Sequence, residues 1–202
     1  MKFSTIESAL EDVKAGKPLV IVDDPERENE GDVYVAAEKI TPSGIRFMRL
    51  HATGRICVPL LSDRLRYLEL PLMVPDSYSD SRRCRFTLTV DYKHIRDGGV
   101  SDYDRALTIK KLIDTTSSKD DFYRPGHIDP LMAEHNGVSS RRGHTEAAID
   151  LARLSNLYPA GVICEVVRRN GEMARGESLE RFAKRFDLKV ITIADIVRYR
   201  NL

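Results

Sequence analysis

Six carboxylates crowd into ten residues, Asp23-Asp24-Pro25-Glu26-Arg27-Glu28-Asn29-Glu30-Gly31-Asp32, with Arg27 the only cation among them. Like charges at this spacing repel and push one another toward protonation unless a cation or hydrogen-bond donors compensate. A hard divalent ion, magnesium or manganese, is one compensation because it takes oxygen ligands. A solvated acidic turn is the other reading. Pro25 and Gly31 bracket the charges and predict a defined loop. Glu26, Glu28, Glu30 and Asp32 fall two apart, so an extended backbone would aim them to one side. The spacing is not that of an EF-hand.

Three further places carry unexpected polarity. His127 closes Arg124-Pro125-Gly126-His127, read as a turn, where an imidazole either titrates near neutral pH or sits idle at the surface. Arg141-Arg142-Gly143-His144-Thr145 falls at a predicted helix start, where unpaired N–H groups, Arg141 and Thr145 offer donors suited to phosphate, though helix starts without ligands are common. Glu165 lies between Ile163-Cys164 and Val166-Val167. Buried there, it would have a raised pKa and suit acid–base work; strand alternation could equally turn it to water. Together with the metal-competent His144, these pieces point to metal-assisted acid–base chemistry on a phosphorylated small molecule.

The elements that must position these residues alternate along the chain. Ser4-Thr5-Ile6-Glu7 predicts a capping box for a helix ending at Gly16, and strand-like residues 18–22 and 32–37 flank the acidic loop. Thr41-Pro42 starts a second helix that fades near Gly54, followed by a strand over 55–60 and a short helix over 62–70. Residues 71–85 read as a loop, with a lid or plain slack as its alternatives. Phe86, Leu88 and Val90 alternate as a half-buried strand should, and Ser101 with Asp104 caps the next helix. After the 124–127 turn, a segment broken by Pro130 leads to a helix from Thr145, then a strand over 161–167, an Asn170-Gly171 turn, a helix near 177–186, a strand over 188–193 and a helix opened by Thr192 with Asp195. Such interleaving predicts an α+β fold, a single layered α/β/α domain over residues 1–202 with a mixed, mostly buried sheet.

Global properties narrow the classes. The chain has 202 residues, 42% hydrophobic and 31% charged, as an ordinary globular protein does. Lys+Arg at 32 against Asp+Glu at 31 leaves a net charge of +1, so no overall basic field recommends a nucleic-acid partner; the basic cluster Arg82, Arg83 and Arg85 is the only local encouragement for one. The longest apolar runs are too short to cross a bilayer and no secretory signal is visible, so the expected location is cytoplasmic. Cys57, Cys84 and Cys164 are odd in number and far apart, which predicts small buried side chains rather than disulfides.

Asp-x-x-x-Arg-Glu-Asn-Glu-Gly-Asp at 23–32, Arg-Pro-Gly-His at 124–127 and Arg-Arg-Gly-His-Thr-Glu-Ala at 141–147 resemble the 3,4-dihydroxy-2-butanone 4-phosphate synthase family of riboflavin biosynthesis. Val90-Asp91, Asp104-Arg105-Ala106 and Ile191-Thr192-Ile193-Ala194-Asp195 extend the resemblance over nearly the whole chain. It implies a Mg2+ (or Mn2+) lyase that turns D-ribulose 5-phosphate into 3,4-dihydroxy-2-butanone 4-phosphate and formate through an enediolate, a dehydration and a carbon shift. By the same resemblance, Glu28 and His144 are metal ligands with a second ion nearby. Arg27, Glu28, Asp32, Arg141, Arg142, Gly143, His144, Thr145 and Glu165 match substrate-contact positions, His127 and Glu165 match groups that move protons, and Asp32 joins them as a candidate for these transfers. A homodimer with sites near the subunit boundary is implied, and a monofunctional chain is expected because no fused GTP cyclohydrolase II domain follows. The chain departs from the family pattern at Asp97-Gly98, where two threonines are usual, at Asp129, where an aromatic residue is common, and at Asn136-Gly137, where a glycine pair is usual. Another metal-dependent phosphosugar isomerase or lyase, and a non-enzymatic phosphometabolite-binding module, are the alternative functions.

Overall fold

The computed structural model describes residues 2–75 and 84–201. Most of the loop expected over 71–85, with Arg82 and Arg83, therefore lies outside the described residues. A seven-stranded mixed sheet organises the rest, in the order β4-β5-β3-β6-β2-β1-β7. Its strands are β1 (Leu19–Val22), β2 (Gly31–Ala36), β3 (Cys57–Leu61), β4 (Val90–Tyr92), β5 (Phe122–Ala133), β6 (Gly161–Glu165) and β7 (Val190–Thr192). β1 with β7 and β3 with β5 run parallel; the remaining neighbours are antiparallel.

Helices cover both faces, as the alternation of elements predicts. On one face α2 (Pro42–Phe47), α3 (Ser62–Tyr67), α4 (Asp102–Ile113) and α6 (Gly176–Arg185) pack Ile45, Leu65, Ile109 and Leu179 against Val33, Val58, Ile128, Val162 and Cys164. On the other, α1 (Ile6–Ala15), α5 (His144–Leu154) and α7 (Ile193–Arg200) pack Ile6, Leu151 and Ile196 against Ile21, Tyr34, Cys57 and Ile163. Each such side chain, fully buried, contributes about 1.5–3 kcal/mol. Among the described residues no helix is long and apolar enough to cross a membrane.

Local signals set most helix ends. Thr41 accepts the Gly44 N–H, Ser101 accepts that of Asp104, and Thr192 and Asp195 form a reciprocal capping box. At α1 the cap is Thr5 rather than a Ser4 box, and Gly16 at φ 74° ends the helix. The C-terminus of α4 is closed from a distance: the buried Arg64 guanidinium donates to the carbonyls of Leu112 and Asp114, both at 2.6 Å.

Four expectations need correction. Residues 124–127 are not a turn, and Pro130 breaks nothing, because β5 runs unbroken over twelve residues and includes a cis Arg124-Pro125 bond. Pairing with β4 on one side and β3 on the other outweighs the local preference of proline and glycine. The Phe86–Val90 alternation is shifted: Thr87 is buried, donating to the Pro130 carbonyl at 3.2 Å, while Leu88 is exposed. The second helix does not simply fade, but widens into a π-turn over Met48–Ala52. Cys57 and Cys164 are buried as expected, but Cys84 is exposed.

Gly126 is required by close approach, since a Cβ there would lie 2.0 Å from the Val90 carbonyl carbon. Gly126→Ala should cost about 2–3 kcal/mol and lower the melting temperature by roughly 4–12 °C, measured calorimetrically. An unchanged melting point would show that the β4–β5 contact yields.

Candidate active site

Immediately after β1, Asp23 turns inward. Its buried carboxylate accepts the Glu30 N–H at 2.8 Å, the Glu28 N–H at 3.2 Å and the Arg27 guanidinium at 2.8 Å. These bonds curl the loop into a turn, with Asn29 at φ 54°, instead of an extended segment. The two-residue spacing therefore does not align the acids. Glu26 is exposed, Glu28 turns toward His144, Glu30 pairs with Arg175 at 2.7 Å, and Asp32 enters β2. Arg175, at the start of α6, also donates to the Glu28 carbonyl at 3.2 Å, so α6 pins the loop from across the chain.

His144 opens α5 and is 7% exposed. Ligand atoms of Asp23, Glu28 and His144 all lie within 4.8 Å of one another. Burial pushes the His144 pKa down; Asp23 and Glu28 oppose that, Arg27 adds to it, and a hydrogen bond to the Ile21 backbone raises it slightly back. Nε2 is buried with no hydrogen-bond partner, so the Ile21 bond belongs to Nδ1. An imidazole that donates through Nδ1 presents a lone pair at Nε2. The Arg27 guanidinium bonds both carboxylates but leaves that lone pair unmet, and a cation among the three would complete it. The oxygen–nitrogen donor set fits magnesium or manganese.

Beside this cluster, β2 and β6 place Asp32 opposite Glu165. Asp32 is 4% exposed, and its pKa stands well above the carboxylate range, through burial first and then through the charges of Glu165, Glu28, Glu30 and Asp23. The buried acid anticipated at Glu165 is thus Asp32. Glu165 is half-buried and clasped: its Oε2 accepts the Arg55 N–H at 2.7 Å, and its carbonyl accepts the Gly54 N–H at 3.1 Å. A Cβ on Gly54 would sit 2.4 Å from that carbonyl oxygen, which explains the glycine.

His127 stands farther along the same face. Its neighbour Ile128, like Val33, Ile56 and Cys164, belongs to the opposite core, so alternation puts His127, Asp32, Arg55 and Glu165 together on the α5 side. The imidazole is partly exposed; Nδ1 lies 2.6 Å from Asp91 Oδ2, and the His127 N–H donates to Asp91 Oδ1 at 3.0 Å. Asp91 is buried and fixes the ring. Asp91→Asn keeps the backbone bond but removes the charge behind the ring, and should lower turnover about 10²-fold with little change in melting temperature. Turnover within a factor of about two of the parent would show that His127 needs no such orientation.

At the start of α5, Gly143 supplies no side-chain cap, and in the first turn the Glu146 N–H is taken by its own buried carboxylate. Thr145 is buried in that turn, Arg141 is half-buried against Glu146, and Arg142 is exposed. The departures at 97–98 and 129 also have local accounts. The Asp97 N–H donates to Asp104 at 2.7 Å while its side chain faces solvent, and Asp129 is matched by the Arg55 guanidinium, which also lies 4.7 Å from the Phe86 ring centre. Asp23, Asp91, Arg55 and Arg175 were not singled out from the sequence. Asp23 and Asp91 fall within the family-like motifs, but Arg55 and Arg175 carry no local signal, since their partners are distant in the chain.

Comparison with known proteins gives these observations a family setting. Residues 7–199 match the family model described as 3,4-dihydroxy-2-butanone 4-phosphate synthase. The riboflavin biosynthesis protein RibBA of Endomicrobium trichonymphae is 50% identical over 199 residues, covering 98% of this chain and 49% of that protein. RibBA of Aquifex aeolicus is 50% identical over 201 residues, again covering 98% of this chain and 49% of the other. The chain thus spans about half the length of these curated relatives. Among solved structures, a 3,4-dihydroxy-2-butanone 4-phosphate synthase in complex with two magnesium ions superposes with a TM-score of 0.92 at 39% identity, over 98% of this chain and 96% of that one. The Candida albicans synthase superposes at 0.90 with 42% identity, over 98% of both chains.

Proposed function

The chain belongs to the 3,4-dihydroxy-2-butanone 4-phosphate synthase family, and from that premise we propose that it converts D-ribulose 5-phosphate to 3,4-dihydroxy-2-butanone 4-phosphate and formate in riboflavin biosynthesis, as a cytoplasmic enzyme. The observation that carries the reading is the buried His144 Nε2 lone pair, clustered with Glu28 and Asp23 and met by no donor, since the nearby Arg27 guanidinium bonds the two carboxylates and not the imidazole.

In this reading Glu28 and His144 hold a divalent cation, magnesium or manganese, with a second ion nearby as in the two-magnesium relative. Such a cation supplies positive charge to the substrate's carbonyl and adjacent hydroxyl oxygens as a carbon-bound proton leaves. Asp23 spends its oxygens on the loop backbone and Arg27, which makes it the organiser of Glu28 rather than the principal ligand. Asp32, whose pKa burial and the neighbouring carboxylates raise, donates or returns a proton at the reacting carbons. Glu165, held by the Arg55 N–H, and His127, held by Asp91, are the other proton-transfer groups. The substrate phosphate lies at the uncapped start of α5 beside Thr145, Arg141 and Arg142, with Gly143 giving close backbone approach, and Arg27 steadies the acidic loop; phosphate binding away from the reacting carbons keeps them in register.

A homodimer completes the reading. β4 is a sheet edge, and Leu88, Val100, Tyr103 and Tyr123 near His127 are exposed, an apolar surface that a second copy would cover. Light scattering at micromolar concentration should give twice the chain mass; a monomer would remove this part of the proposal.

Purified protein mixed with ribulose 5-phosphate and Mg2+ should release formate, and EDTA should stop it. Formate release indifferent to EDTA would remove the metal, and an isomerised sugar in place of formate would select another phosphosugar reaction.

A further inference from the structure

On the opposite face of the sheet from His144 lies a cleft of about 630 Å³, bounded by the π-turn after α2, the β6 end and the far side of α6. Its floor is apolar: Val166, Ala174 and Phe182 belong to, or pack on, the core of that face. Its rim is cationic, with Arg168, Arg169, Arg181 and Arg185, and no carboxylate lines it among the described residues. Arg168 and Arg181 have carboxylate partners one helical turn or one hairpin away, Glu172 and Glu177, each at 2.7 Å. Among the described residues no carboxylate pairs with Arg169 or Arg185. For a chain of net charge +1, this is a local concentration of one sign on a concave surface.

The cleft also carries a ring shelf. His51 lies 4.6 Å from the Phe186 ring centre, tilted by 39°, with Phe47 and Phe182 behind at 5.0 and 5.1 Å. The Arg185 guanidinium lies 5.1 Å from the same Phe186 ring. His51 also lies 5.2 Å from the Phe47 ring centre, and its side chain is exposed at the mouth of the cleft. Arginines match phosphate oxygens with paired donors, and an aromatic shelf beside them takes a flat ring. The volume falls within the roughly 300–1,000 Å³ of small-molecule sites.

We propose that this cleft binds a planar aromatic phosphate, of the nucleoside diphosphate class, with its ring on the His51–Phe186 shelf and its phosphates on Arg169 and Arg185. The site stands apart from the reaction proposed above and does not depend on it. An acidic protein segment would satisfy the charges but not the shelf.

Calorimetric titration of the full chain in EDTA, with ADP, adenosine, pyrophosphate and hexaglutamate as probes, tests it. One ADP should bind per chain, with adenosine and pyrophosphate each at least about tenfold weaker. Arg169→Ala and Arg185→Ala, both at exposed positions, should each weaken ADP about tenfold at an unchanged melting temperature. Excess ribulose 5-phosphate should leave ADP bound. No ADP binding up to about 1 mM would overturn the proposal. So would parental ADP affinity in both variants, displacement by ribulose 5-phosphate, or hexaglutamate binding more tightly than ADP, which would make the cleft a protein-docking surface.

Discussion

Formate release should fall on the order of 10³-fold when Glu28 is replaced by Gln, a loss of about 4 kcal/mol of transition-state stabilisation. The substitution is nearly isosteric and leaves an oxygen that can still accept from Arg27, which bonds Glu28 at 2.5 Å. What it removes is the negative charge facing the His144 Nε2 lone pair. His144→Asn should act in the same direction, by replacing an imidazole ligand whose neutral form burial favours. Both variants should bind Mg2+ and Mn2+ more weakly by calorimetry, and neither should lose its fold in EDTA, where the parent holds no cation either. Parental metal affinity with parental turnover in Glu28→Gln would sink the assignment, since Asp23, Glu28 and His144 form the one such cluster among the described residues.

Asp32→Asn should separate activity from stability. The folded-state pKa of Asp32 is raised above its unfolded value, by burial and then by Glu165, Glu28, Glu30 and Asp23. For an acid shifted this way the fold prefers the protonated form. The stability it contributes is fully present below the ordinary carboxylate pKa, and is lost as pH rises through the raised value. Asparagine cannot ionise, so in EDTA the variant should melt above the parent at pH 8, with the gap closing toward pH 4. Relief of a buried, poorly compensated carboxylate is of order 1–3 kcal/mol, and a chain of this size gains about 2–4 °C per kcal/mol. Turnover should fall about 10²- to 10⁴-fold, as loss of a proton-transfer group does. Comparison with the parent at each pH cancels the titration of groups that are not coupled to Asp32. A gap that shrinks with rising pH would reverse the sign of the argument.

The strain that makes Asp32 costly is the same crowding visible in residues 23–32, but its address is not. Counting by twos put Glu26, Glu28, Glu30 and Asp32 on one side. Three hydrogen bonds to the Asp23 carboxylate fold that segment back on itself and send each acid to a different partner. The same limit appears at His127, where Pro125 and Gly126 announce a turn that pairing with β3 and β4 overrides. It appears again at Thr87, buried in the place assigned to its apolar neighbours because its hydroxyl reaches the Pro130 carbonyl.

Helix caps at Thr41, Ser101 and Thr192, the Gly16 stop and the layered α+β arrangement were fixed by the chain itself, because a cap or a periodic apolar stripe acts within a few residues of its own position. The family-like motifs likewise marked which residues mattered. Only the folded chain decided how they meet: that Asp23 organises Glu28 and His144, that Asp32 rather than Glu165 is the buried acid, that Asp91 holds His127, and that Arg55 answers Asp129. These outcomes depend on cross-strand register and on how much water each charge loses, and both are set by residues far away in sequence.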